Sequence, residues 1–216
     1  MNDFRIEKKF VFGKFYESNI IKILLTNGFT ETFSSRKINS IYLDTQNFDF
    51  AKDNINGVNK RKKIRFRWYN NNLNEIFLEE KNKQNFQVNK IVSKIPFIVN
   101  KNYIVRDLQR YLDENNNKVS NYNYKFVLKT NYLRSYWISS NKQLRATIDT
   151  NIKTSSINKL NNLFDLNETI LEFKFHPNNE DYFRKFYSLQ NFNFRAKKFS
   201  KYIQSFNILD DSGLIN

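Results

Sequence analysis

Residues 60–69 read KRKKIRFRWY, six cations in ten positions, with Ile64, Phe66 and Trp68 spaced between them. No other stretch constrains the fold as strongly. Successive side chains of a β-strand point to opposite faces, so Ile64, Phe66 and Trp68 share one face and Lys63, Arg65 and Arg67 the other. A run this basic is ordinarily a solvated tail or a nucleic-acid patch, but a tail has no reason to alternate with large apolar residues. The stretch predicts a folded wall of cations backed by a hydrophobic core. Like charges on one strand face repel, so the wall calls for open solvent or for an anion held between its members.

The alternation recurs. In FRIEKKFVF (4–12), Phe4, Ile6, Phe10 and Phe12 oppose Arg5, Glu7 and Lys9. In QLRATIDTNI (143–152), Leu144, Ala146 and Ile148 oppose Arg145, Thr147 and Asp149. Further strands are expected at 38–45, at 74–83 as the hairpin partner of 61–69, and at 93–99, 124–138 and 169–175. Helices are expected at 17–28, with Gly28 as the stop, at 103–115, with Ile104, Leu108, Tyr111 and Leu112 on one side, and at 179–190. The strand at 38–45 runs into a polar, Asn- and Asp-rich turn.

This gives about eight strands and three helices, with no internal repeat and no Pro/Gly-rich linker. The expected class is α+β and mostly antiparallel, one domain over residues 1–208 with a loose tail at 209–216. If such a sheet closes, ~8 strands make a barrel that holds one small ligand. The charged faces then line the lumen, and the aromatic faces pack outward against helices.

Composition narrows the chemistry. The chain of 216 residues carries 22 Phe and 12 Tyr, enough for a sizeable core, and a net charge of +15. That charge points to a polyanionic partner, whether nucleic acid, an anionic membrane or a phosphate-rich small molecule; AT-rich coding bias is the plainer alternative for part of the Lys and Asn content. Absence of cysteine excludes disulfides, thiolate metal sites and cysteine nucleophiles, and His176 as the single histidine disfavours zinc and Ser-His-Asp chemistry. No apolar run approaches the ~18 residues of a membrane span, and MNDFRIEKKF has no signal-peptide core. A soluble, cytoplasmic protein is expected.

The ordered series RIEKKF, SIYLDT, KIRFRWY, FLEEK, NYLRSYW, LRATIDT, ILEFKF and KFSKY resembles the catalytic domain of vacuolar transporter chaperone (VTC) proteins, within the CYTH or triphosphate tunnel metalloenzyme superfamily. The resemblance runs from about residue 4 to residue 206. It implies an eight-stranded, tunnel-like β-barrel lined with basic residues, and an enzyme that moves the γ-phosphoryl group of ATP onto inorganic polyphosphate with Mn²⁺ or Mg²⁺ bound. Position by position it implies phosphate contacts for Lys9, Arg65, Arg67, Lys81, Arg134, Arg145, Ser200 and Lys201, with Lys94 a looser match. Glu172 fills the place of the metal-binding glutamate, and Glu7 is the second choice of ligand. Lys63, Glu79, Asp149 and Lys174 are expected to support the site, Glu79 by neutralising or orienting the lysines around it. Eukaryotic members carry a regulatory domain and membrane segments absent from this sequence, so coupling to a membrane would need a separate chain.

Each motif alone has a plainer explanation. Glu7 and Lys9 suit a surface salt-bridged strand, and Ser200 a helix cap. Tyr132, Trp68 and Trp137 suit packing rather than stacking on adenine, and His176 before Pro177 suits a strand end. A nucleic-acid groove would want aromatics on the basic face, whereas Phe66 and Trp68 oppose Arg65 and Arg67. Two relatives of the enzyme reading stay open: hydrolysis of triphosphate or short polyphosphate, and a non-catalytic polyphosphate sensor.

Overall fold

The structure, a computed structural model, describes residues 5–85, 87–115, 123–189 and 195–215. The expectations placed on Phe4, on Gln190 and on Asn216 lie outside the described residues. The strands are β1 (Ile6–Gly13), β2 (Phe29–Thr45), β3 (Lys60–Tyr69), β4 (Phe77–Gln84), β5 (Gln87–Lys94), β6 (Tyr124–Ser139), β7 (Arg145–Ser156), β8 (Phe164–Asp165) and β9 (Glu168–Phe175). The helices are α1 (Glu17–Thr26), α2 (Asp49–Ile55), α3 (Ile104–Glu114), α4 (Glu180–Leu189) and α5 (Lys201–Asp211). Eight strands follow the hydrogen-bonded order β1-β9-β7-β6-β2-β3-β4-β5, with the two-residue β8 beside β7. The class is α+β with a mostly antiparallel sheet, as expected. Among the described residues, no helix is long and apolar enough to cross a membrane.

The chain forms two compact units. The first contains residues up to 37, 132–152 and 165–199. Its core joins Phe10 and Phe12 of β1, Leu171, Phe173 and Phe175 of β9, and Ala146 and Ile148 of β7 to Ile20 and Leu24 of α1 and Phe183 and Phe186 of α4. Phe175 stacks on Phe183 with ring centroids 4.7 Å apart. Trp137 packs into this core and donates from Nε1 to Ser135 Oγ at 2.9 Å. Helix α1 stops where Gly28 takes φ +73°, a left-handed conformation that glycine alone adopts without strain.

The second unit contains residues 38–131, 153–164 and 200–216. Ile41 and Leu43 of β2, Ile64, Phe66 and Trp68 of β3, and Leu78 of β4 bury against Leu108, Tyr111 and Leu112 of α3. The apolar face of KRKKIRFRWY is therefore the core face, and Trp68 is a packing residue. A second cluster joins Tyr42, Val127 and Leu128 to Tyr202, Ile203, Phe206, Leu209 and Ile215.

Three expectations need correction. The strand expected at 93–99 is β5 at Gln87–Lys94; Ile95 and Val99 are buried in the α3 core without strand structure, and Pro96 has no N–H to give a ladder. The polar turn after β2 contains α2, because Asp44 accepts hydrogen bonds from the N–H groups of Phe50 and Ala51, each at 2.9 Å, and so satisfies donors at its first turn. The loose tail at 209–216 is not loose at its start: α5 extends to Asp211, and Leu209 and Ile215 are buried.

Candidate phosphate and metal sites

In the second unit the charged face of β3, β4 and β5 is set by register. Lys63 pairs with Lys81, and Lys81 with Lys90, so three cations lie in one cross-strand row. Arg61 faces Lys83 in the next row, and Arg65 faces Glu79 on the other side. Directly opposed side chains share a face, and like charges there are destabilising. One carboxylate, Glu79, is set among them.

Glu79 is buried and gathers three cations. Arg65 donates to its Oε2 from Nε at 2.8 Å and from Nη2 at 2.6 Å, Lys90 reaches Oε1 at 2.8 Å, and Arg67 Nη1 lies 3.5 Å from Oε1. Burial alone would raise the Glu79 pKa, but the charges of Arg65 and Arg67 outweigh it and bring the value down to about 2. Glu79 is thus an anion at any working pH, and it orients the arginines. Arg65 also donates from Nη1 to the Tyr42 hydroxyl at 3.2 Å.

Two buried polar atoms on this face have no hydrogen-bond partner among the described residues: Arg67 Nε and Ser40 Oγ. Ser40 stands directly opposite Arg67 on β2. A buried donor left unmatched is costly, and a guanidinium N–H beside a hydroxyl is a fitting pair of contacts for a phosphate oxygen.

Ser200 does cap α5, accepting from the Ile203 N–H at 3.4 Å, and it also accepts from Lys63 Nζ at 2.6 Å. Lys201 opens the same helix, half-buried. Lys94 is placed apart: it is exposed and pairs with Glu75 at 3.2 Å. Lys90, which the sequence reading passed over, is the β5 lysine bound to Glu79. Tyr202 donates to Asp44 at 2.5 Å and stacks on Tyr42 at 5.0 Å, tying the start of α5 to the Arg65 partner.

In the first unit the charged face of β1, β9 and β7 has mixed sign. Glu7 pairs with Lys174 and Lys174 with Arg145; Lys9 pairs with Glu172 and Glu172 with Thr147. Lys174 Nζ lies 3.5 Å from Glu7 Oε1 and 3.7 Å from Glu172 Oε1, while Lys9 Nζ lies 4.0 Å from Glu172 and donates to the Phe199 carbonyl at 3.2 Å. Arg134 makes a two-pronged pair with buried Asp149, at 2.5 and 2.7 Å. Burial opposes the Arg134 charge, but Asp149 overrides it and holds the guanidinium protonated. The guanidinium lies over the Tyr132 ring at 5.4 Å, so Tyr132 packs beneath a charge rather than in an apolar cluster. Arg145 is exposed at the end of its row, and Asp149 serves Arg134. His176 is exposed at the strand end, where Nδ1 accepts from the Asn178 N–H at 3.2 Å.

A divalent ion would need carboxylate ligands on this face. No cluster of three or more metal-binding side chains occurs among the described residues. Hard ions nonetheless bind through one or two carboxylates completed by phosphate oxygens and water. Glu172 and Glu7 already share one cation, Lys174, and the buried Thr147 Oγ1 opposite Glu172 has no partner among the described residues. The pair fits an ion whose remaining ligands come from substrate.

Comparison with known proteins follows the same line. A family model for the VTC domain matches residues 4–210. No curated protein matches the chain by sequence. Among solved structures, a proposed adenylate cyclase from Bacillus halodurans superposes with TM-score 0.59 at 14% identity, covering 95% of this chain and 99% of that one. One from Vibrio parahaemolyticus gives TM-score 0.54 at 13% identity, with 95% and 99% covered. A proposed adenylyl cyclase from Hippeastrum, described as having a dominant triphosphatase activity, gives TM-score 0.54 at 13% identity over 99% and 98% of the two chains.

Proposed function

We propose that this chain, which belongs to the VTC-domain family, is a polyphosphate polymerase that transfers the γ-phosphoryl group of ATP to the end of a growing inorganic polyphosphate chain. Its family and fold are those of triphosphate tunnel proteins. One observation carries the reading: the β3–β4–β5 face sets Lys63, Lys81 and Lys90 in a row beside Arg65 and Arg67, with Glu79 as the carboxylate among them and Arg67 Nε unmatched. Cations opposed to cations across two successive strand pairs suit an external polyanion.

Phosphoryl transfer depends on positioning and on charge stabilisation more than on a protein nucleophile. Arg65 and Arg67, oriented by Glu79, fork onto phosphate oxygens, and Ser40 and Lys90 add single contacts. Lys63, held by Ser200, adds a further phosphate contact. Lys9, Arg134, Arg145, Lys81, Lys94 and Lys201 contribute further positive potential. The terminal phosphate of the polymer attacks the γ-phosphorus and ADP leaves, so no side chain forms a covalent intermediate. Glu172 and Glu7 would hold Mn²⁺ or Mg²⁺, which would supply positive charge to offset that of a phosphate substrate. Residues 1–208 act as one catalytic domain in the cytoplasm.

A hydrolytic reading has its own support in the triphosphatase activity of the Hippeastrum neighbour; in that case water replaces the polymer end. The test is incubation of purified protein with ATP and Mn²⁺, resolving polyphosphate and free phosphate on gels. Chains from the wild type and none from Arg65→Ala or Glu172→Ala are expected. Free phosphate without chains moves the assignment to a hydrolase, and neither product removes the enzyme reading.

A further inference from the structure

The charged face of the first unit continues into an aromatic patch that the phosphate chemistry does not use. Along β6, Ser135 and Trp137 turn toward the apolar side, where Trp137 joins the core and its Nε1 binds Ser135. Arg134 and Tyr136 therefore turn together to the opposite side. Arg134 is fixed there by Asp149. Two residues along a strand advance about 7 Å, so Tyr136 sits one short step beyond the guanidinium.

At that step Phe33 of β2 meets the Tyr136 ring edge-on, with centroids 6.0 Å apart and planes at 86°. The Arg36 guanidinium lies over both rings, 5.5 Å from Phe33 and 5.8 Å from Tyr136. Phe33 is 58% exposed, and Arg36 is exposed too. A lone exposed Phe on a surface is ordinary. Two rings set edge to face under a planar cation, two residues along the strand from Arg134, form an organised surface left open to solvent. Aromatic rings and guanidinium planes stack on nucleobases, with little preference among them because every base offers a π-face.

We propose that Phe33, Tyr136 and Arg36 form a stacking seat for the base of a nucleoside triphosphate whose phosphates run toward Arg134. The inference rests on the phosphate-binding reading above and adds the nucleoside end of the substrate. Inorganic triphosphate, which has no base, gains nothing from the seat.

The test measures dissociation constants of ATP, GTP and inorganic tripolyphosphate by calorimetry with Mg²⁺ present, for wild type, Phe33→Ala and Arg36→Lys. Phe33→Ala is expected to weaken ATP and GTP alike by about tenfold, and Arg36→Lys, which keeps the charge but loses the plane, by severalfold. Tripolyphosphate affinity stays within twofold of wild type in both variants. If tripolyphosphate binds the wild type and the variants shift it as much as ATP, or shift neither ligand, the seat is refuted while the phosphate site stands. Wild-type protein that binds none of the three ligands overturns both readings.

Discussion

The two charged faces handle charge in opposite ways. On β1 and β9 the signs oppose across the strands, Glu7 against Lys174 and Lys9 against Glu172, so that Lys174 lies between Glu7 and Glu172. On β3, β4 and β5, lysine faces lysine across two successive strand pairs, with Glu79 as the carboxylate among them. On the first face each carboxylate meets a lysine; on the second, lysine is set against lysine. On the proposed function the faces do different work: the cationic one would grip phosphate, and the carboxylates of the mixed one would hold the metal.

The comparison is tested most severely by activity. Arg65→Ala is expected to lower turnover of ATP by about 10²–10³-fold and to weaken phosphate binding with it. Glu172→Ala should lower turnover by a similar factor and abolish the response to Mn²⁺ or Mg²⁺, yet keep phosphate affinity. Initial rates across a metal titration separate the two; equal losses of binding in both variants would erase the distinction between faces.

Next comes stability. The Glu79 pKa, held at about 2 against a usual 4.5, means that the unfolded chain takes up a proton before the folded one does as pH falls. Its contribution is complete above about pH 4.5 and is lost as pH falls toward about 2. Glu79→Gln should therefore cost on the order of 3 kcal/mol at pH 7, and the gap from wild type should close on acidification. Urea unfolding at a series of pH values measures both. A gap that stays constant down to pH 2 contradicts the ion-pair origin.

Smaller effects sharpen the outline of the cationic face. Lys90→Ala is expected to weaken tripolyphosphate by about tenfold, and less so at high salt. Lys94→Ala, which removes an exposed pair with Glu75, should change affinity by no more than about twofold. Titrations at two ionic strengths check the contrast, and equal effects would move the edge of the site out to Lys94.

How much of this was legible in the sequence depended on burial. Wherever one strand face is dry, as in Phe10/Phe12, Ile64/Phe66/Trp68 and Ala146/Ile148, alternation placed both the strand and its charged residues. Strand β5 is exposed along its whole length, so nothing in its composition marked it, and the buried Ile95 and Val99 drew the expected strand past it. Lys90 was lost with that shift. Helix α2 is short and polar, and it is organised by Asp44, whose side chain also takes the Tyr202 hydroxyl from 158 residues away; no local pattern carries such a contact. Ser40 lay in plain view in SIYLDT, but its significance comes only from the β2–β3 register that sets it opposite Arg67.

The central claim is that the β3–β4–β5 face binds triphosphate through its own cations. Calorimetric titration of tripolyphosphate in a chelating, metal-free buffer tests it most directly, using wild type, Arg65→Ala and Glu172→Ala. The account predicts binding by the wild type, affinity at least about 10²-fold weaker in Arg65→Ala, and unchanged or tighter binding in Glu172→Ala. Tripolyphosphate that binds Arg65→Ala as well as wild type would contradict it.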